Sequence, residues 1–159
     1  MSEYELLINI SALLLEKKAT LSCAESCTGG KIASLLTSFS GASRYFKGGV
    51  IAYDNGVKEE ILHVSKQLIK AYGAVSQQCV EAMAISIKRL MKTTYAISTS
   101  GIAGPEGGSE DKPVGTIWIA ITTPFSCTSK KFHYTGDRTT NIDLFSKAAL
   151  SMLHSALLM

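Results

Sequence analysis

The stretch Ala24-Glu-Ser-Cys-Thr-Gly-Gly30 sets a carboxylate, two hydroxyls and a thiol directly before two glycines. Three kinds of chemistry use such a set: a phosphate cradle, a metal site or a nucleophile. A nucleotide-binding loop ending in Gly29-Gly30-Lys31 needs another glycine five residues before Gly30 and a hydroxyl residue after the lysine. Glu25 and Ile32 hold those places, so nucleotide hydrolysis of that type is excluded. Gly101-Ile-Ala-Gly104 likewise misses the dinucleotide fingerprint. The glycines can still admit backbone N–H groups to a ligand oxygen at a helix start, or simply form a tight strand-to-helix turn. A metal site would draw on Glu25, Cys27 and Glu59, but no histidine pair or carboxylate spacing supports one, and His63, His133 and His154 are scattered. Neither metal nor cofactor is expected.

Nucleophilic catalysis remains. Ser26 lies between an apolar run and a glycine-rich helix start, where a hydroxyl is exposed and backbone amides can stabilise an oxyanion. GxSxG and SxxK are both absent, and no histidine falls in a polar, glycine-bearing segment. The base must then be a lysine from another segment, held neutral by burial or by cationic neighbours. Lys58, after Tyr53-Asp-Asn55, is the best placed. On residue types alone the plainer alternative is the better one: Ser26 as a cap and Lys58 as a solvated surface residue.

The elements that position these groups follow from periodicity. Leu6, Leu7, Ile10, Leu13 and Leu14 mark an amphipathic helix between Glu3 and Lys18. A short strand over residues 20–23, a helix whose first turn lies near 28–30 and which continues over 31–36, a second strand over 48–53 and a turn at Asp54-Asn55-Gly56 follow. Short helices over 58–62 and 66–72 precede a long one capped by Ser76 and ending near Met91. Residues 95–99 form a third strand, which empties into the glycine loop of residues 101–108. Segments 114–122 and 130–134 read as antiparallel neighbours, and residues 140–158 as a closing helix with apolar Leu144, Ala148, Leu150 and Leu153. This order predicts the α/β class: a single-domain layered α/β/α sandwich around a mixed β-sheet. Three polar, glycine-bearing segments, 25–30, 53–58 and 99–108, fall just beyond strand ends, where ligands gather.

Composition sets the bounds. A chain of 159 residues, 46% hydrophobic and 18% charged, supports one well-buried core. The net charge of +3 is spread along the chain, too mild for a nucleic-acid footprint but suited to a small anion. Apolar runs are far too short to span a membrane, and the start lacks a signal peptide, so a cytoplasmic location is expected. Cys23, Cys27, Cys79 and Cys127 form no CxxC pair and read as small buried hydrophobes.

Taken together, Ala24-Glu-Ser-Cys-Thr-Gly-Gly30, Tyr53-x-Asn55-x-x-Lys58, Ser98-Thr-Ser-Gly-Ile-Ala-Gly-Pro105, Gly107-Gly108, Lys112-Pro-Val-Gly115 and Gly136-Asp-Arg138 resemble the CinA C-terminal family, the PncC-type nicotinamide-nucleotide amidases. The match runs in order through nearly the whole chain and is similar to the stand-alone form of the unit, one domain over residues 1–159. The resemblance implies hydrolysis of nicotinamide mononucleotide to nicotinate mononucleotide and ammonia, in pyridine nucleotide salvage and without metal. By motif, Ser26 is the nucleophile and Lys58 the base. Tyr53 relays the proton or orients the lysine. Thr28, Gly29 and Gly30 line the oxyanion side, Asn55, Ser100 and Gly101 hold the substrate, and Arg138 suits its phosphate. Asp54 departs from the small polar residue expected there and should face away from Lys58. Exposed sheet edges and the habit of the family imply a homo-oligomer, a dimer. A second reading keeps the pocket but not the turnover: a catalytically silent nucleotide-binding or competence-related interaction module.

Overall fold

The computed structural model describes residues 1–159. Five strands form one sheet in the order β2-β1-β3-β4-β5, with β1 at Leu21–Glu25, β2 at Phe46–Ile51, β3 at Tyr95–Gly101, β4 at Thr116–Thr122 and β5 at Cys127–His133. β1 lies parallel to both β2 and β3, and β3-β4-β5 continue as antiparallel neighbours. The expected mixed sheet is therefore present.

Helices cover both faces. α1 (Glu3–Glu16) opens the chain, capped by the Ser2 hydroxyl on the Glu5 amide and by the Glu5 carboxylate on the Ser2 amide. It joins α2 (Lys31–Leu36) and the long α6 (Arg138–Leu158) over one face, burying Leu6, Ile10, Leu14, Ile32, Phe145 and Leu153 against Leu21, Cys23, Ile97, Ile117 and Ile119. The opposite face carries α3 (Asn55–Glu60), α4 (Lys66–Tyr72) and α5 (Gln77–Met91). Leu62, Ile69, Met83 and Ile87 meet Ala24, Ala52 and Ala96 there. Cys23 and Ile97 thus face one layer while their neighbours Ala24 and Ala96 face the other, the period of two of a strand covered on both sides.

Several boundaries differ from the sequence reading, each for a local reason. β1 runs on through Ala24 and Glu25 because both residues pair with Val50 and Ile51 on one side and with Ser98 and Thr99 on the other. The Asp54-Asn55-Gly56 turn is instead a helix start: the Asp54 carboxylate accepts the Gly56 amide at 2.9 Å, so α3 begins at Asn55 and Lys58 lies in its second half. β5 starts at Cys127 and ends at His133, in register with β4.

The parallel strands β1, β2 and β3 all end at the same edge of the sheet, which gathers residues 26–30, 52–58 and 102–108 together. The third of these segments is pinned at its base. Ile102 donates to the Thr116 carbonyl at 2.8 Å, and the Gly115 amide donates back to Ile102 at 2.7 Å. Gly115 sits at φ +92°, and a Cβ there would lie 1.7 Å from the Tyr134 carbonyl oxygen. Gly115→Ala combines a left-handed backbone with a backbone clash and is expected to cost roughly 2–5 kcal/mol, read as a lowered urea midpoint. An unchanged midpoint would mean that this junction carries no stability.

Candidate active site

Lys58 is among the largest fully buried side chains, 1% exposed. α3 follows β2 closely and turns its fourth residue back beneath the loop that joins them. There Nζ lies 2.7 Å from the Ala52 carbonyl oxygen, 3.2 Å from that of Tyr53 and 3.1 Å from Ser26 Oγ. No carboxylate pairs with it; the ion pair of the molecule joins Lys31 to Asp143 elsewhere. Burial lowers the Lys58 pKa below the ordinary lysine value, and the opposing pull of Cys79, Cys27 and Asp54 is smaller. A neutral amine has two N–H donors and one lone pair. In the ammonium form Nζ donates to all three oxygens; in the neutral form, toward which burial shifts it, two N–H groups remain for the carbonyls and the lone pair can accept the Ser26 hydroxyl proton. The surface-lysine alternative is thereby overturned.

Ser26 is the first residue beyond β1 and 8% exposed. Its amide donates to the Thr99 carbonyl at 3.1 Å, fixing it to the end of β3, and its carbonyl accepts the Gly29 amide at 3.0 Å in a tight turn. The Ser26 hydroxyl caps no helix. Glu25 does that instead, accepting the Ile32 and Ala33 amides at 3.0 Å each. Inside the turn the amides of Cys27, Thr28 and Gly30 donate to no acceptor of the chain. Buried backbone N–H groups without a partner are rare, and Cys27 and Thr28 are both buried.

Ser26 and Lys58 open onto a cleft of about 240 Å³ that also exposes Cys27, Tyr53, Asn55, Val75, Ser100, Gly101, Glu106 and Arg138. A larger hollow lies between β5 and α6, but it is mostly apolar, with Lys130, Tyr134 and Lys147 as its ionisable side chains. The smaller cleft is therefore the candidate site.

Tyr53, Asn55, Ser100, Gly101 and Arg138 line the cleft together with Ser26 and Lys58. Two of these expectations need correction. The Tyr53 phenol is 57% exposed and accepts a bond from Arg138 Nη2 at 2.9 Å, with no hydrogen bond to Ser26 or Lys58; only the Tyr53 backbone carbonyl touches the amine. Alternation along the chain sends the phenol outward while the carbonyl turns inward. Thr28, Gly29 and Gly30 do not line the cleft. The Thr28 hydroxyl lies 2.6 Å from Glu25 and 2.9 Å from Thr99, the Gly29 amide is bonded to Ser26, and Gly30 is the left-handed first cap of α2. Of the three residues with unpaired amides, Cys27 is the one that lines the cleft.

Ser100 lines the cleft with its hydroxyl proton committed to the Ala74 carbonyl at 2.8 Å. Arg138 is held by a second bond, Nη1 to the Gly104 carbonyl at 2.7 Å, so its guanidinium bridges the glycine loop and Tyr53. Asp54 caps α3, and its carboxylate forms no ion pair with the Lys58 amine. Glu25, Cys27 and Glu59 do not converge as a ligand set, and no cluster of three metal-binding side chains occurs.

Sequence reasoning missed Cys27, Val75 and Glu106 as lining residues. Glu106 was within reach, since it stands in the glycine loop; Val75, at the junction of α4 and α5, carries no polar signal. The Cys27 thiol is pushed up to about 12, chiefly by burial.

Residues 3–157 match the model of the CinA C-terminal domain. A CinA-like protein from Desulforapulum autotrophicum is 44% identical over 151 residues, covering 94% of this chain and 36% of that protein. One from Pseudothermotoga lettingae is 55% identical over 109 residues, 69% of this chain and 27% of its own. The chain thus spans about a third of the length of these relatives. Among solved structures, the competence/damage inducible protein CihA from Agrobacterium tumefaciens superposes with a TM-score of 0.95 at 33% identity, covering 100% of both chains. The competence damage-inducible protein A from Klebsiella pneumoniae gives 0.96 at 31%, covering 99% of this chain and 98% of that one. With the fold, the motifs and the family match in agreement, this chain belongs to the CinA C-terminal domain family.

Proposed function

We propose that the cleft is a serine–lysine amidase site that hydrolyses the carboxamide of nicotinamide mononucleotide, giving nicotinate mononucleotide and ammonia. The observation that carries this reading is the 3.1 Å approach of a buried, carboxylate-free Lys58 amine to Ser26 Oγ. Neutral Lys58 accepts the Ser26 proton as Oγ attacks the amide carbon. The oxyanion that forms meets the unpaired amide of Cys27, since the residue after a nucleophile is a common donor of this kind. The Lys58 ammonium then returns the proton to the departing nitrogen, and ammonia leaves an acyl-serine. Water attacks that ester, Lys58 takes its proton, and the acid departs with Ser26 restored.

Arg138 suits the substrate phosphate. Two of its donors are engaged on Gly104 and Tyr53, which fixes the plane of the guanidinium, and the remaining N–H groups form a fork for an anion. The exposed ring of Tyr53 offers a flat face to a planar cation such as a pyridinium. The amide itself would sit over Ser26.

Ser26→Ala and Lys58→Ala should each lower ammonia release from nicotinamide mononucleotide by at least about 10³-fold with unchanged circular dichroism. Full turnover in either folded variant would remove that residue from its role. Ligand-induced thermal stabilisation of the wild type without ammonia would replace catalysis by silent nucleotide binding.

Lys58 works as a base only when deprotonated, and burial depresses its pKa, so activity should rise with pH through a limb below the ordinary lysine range and then level off. A rise only near pH 10.4, the free lysine value, would mean that burial does not tune the base. Arg138→Ala should raise KM by roughly 10- to 100-fold, the worth of one charge-assisted bond, while kcat changes little. A loss confined to kcat would place Arg138 in the chemical step rather than in phosphate binding.

A further inference from the structure

Glu25 ends β1 and is 1% exposed, yet no cation pairs with it. Four donors surround its two oxygens: the Thr28 hydroxyl at 2.6 Å, the Ile32 and Ala33 amides at 3.0 Å, and the Cys23 thiol at 3.8 Å. The two amides account for a helix cap. The Thr28 arm is not needed for capping, and it leads back toward the nucleophile.

The direction of that arm is set by counting protons. Thr28 has one hydroxyl proton, and at 2.6 Å from a carboxylate oxygen it must be donated to Glu25, because two facing acceptors would repel. The 2.9 Å contact between Thr28 and Thr99 is then donated by Thr99. Thr99 Oγ1 is left as an acceptor, and it faces the Ser26 amide at 3.4 Å, beside the stronger bond from that amide to the Thr99 carbonyl. A one-way chain results, from the Ser26 N–H through Thr99 and Thr28 to Glu25.

We propose that Glu25 is a positioning residue for Ser26: acting through Thr28 and Thr99, it fixes the Ser26 backbone and with it the approach of Oγ to Lys58. The proposal rests on Ser26 being the nucleophile, as argued above. Small displacements of a reacting group are costly in rate, so the arm acts on turnover rather than on substrate binding.

Thr28→Val removes the hydroxyl arm and keeps both amide bonds of the cap. Two readouts apply to the same protein: the rate at which a fluorophosphonate labels Ser26, with fluoride leaving as the Oγ–P bond forms, followed by mass spectrometry; and kcat and KM for ammonia release. Thr28→Val is expected to unfold within a few degrees of wild type, with labelling and kcat each lowered about 10-fold or more, KM within about threefold, and the basic limb of the pH profile unmoved. Thr28→Ser, which retains the donor, should restore both rates. Thr99→Val should reproduce the Thr28→Val loss, and it serves as the test if Thr28→Val does not fold. Wild-type labelling and kcat in a folded Thr28→Val, or a loss that Thr28→Ser leaves uncorrected, would overturn the positioning role alone. A wild type that takes up no label at Ser26 would remove the nucleophile reading, and this proposal with it.

Discussion

A buried amine without an opposing carboxylate is the constraint on which the rest of the structure depends. Charged groups are rarely taken fully out of water without a partner, yet Lys58 has only neutral oxygens around it. Such an arrangement disfavours the ammonium form and favours an amine that can accept a proton. Three pieces of chain must arrive together to build it: the end of β2, which supplies two carbonyls; α3, which turns the lysine back; and the first residue beyond β1, which supplies the hydroxyl. None of these pieces can shift alone, because β1 is paired on both sides.

The sheet topology supplies that arrival. With β1 between two parallel partners, the ends of three strands converge, and the segments that leave them pass to opposite faces, α2 to one layer and α3 to the other. A cleft opens where they diverge, as it does in open α/β sheets generally. The antiparallel half of the sheet braces this edge from the far side. β4 holds the glycine loop through Thr116, and the start of α6 holds it through Arg138.

Much of this was legible in the sequence. The order of helices and strands followed from periodicity and caps, and the α4 and α5 spans are as read, while α2 starts at Lys31, later than the turn at 28–30 suggested. Ser26, Lys58, Asn55, Ser100, Gly101 and Arg138 do meet at one cleft. Side-chain direction was less legible. The local pattern could not say that Glu25 would fill the start of α2 and so occupy Thr28, nor that Tyr53 would offer its carbonyl to the lysine and its phenol to Arg138. Both outcomes depend on partners distant in sequence, Thr99 in one case and Arg138 in the other. Residue type alone also pointed the wrong way for Lys58, since lysine is usually exposed and only the fold reveals its burial.

The neighbour of the serine carries a consequence of its own. Cys27 borders the same cleft, and thiolates are intrinsically the stronger nucleophiles, but burial keeps its thiol protonated far above neutral pH. Burial therefore disfavours the thiolate of Cys27 beside the Ser26 hydroxyl proposed as the nucleophile. Electrophiles chosen for thiolates, and the oxidants that consume them, should pass this cleft by, whereas reagents matched to an activated alcohol should not.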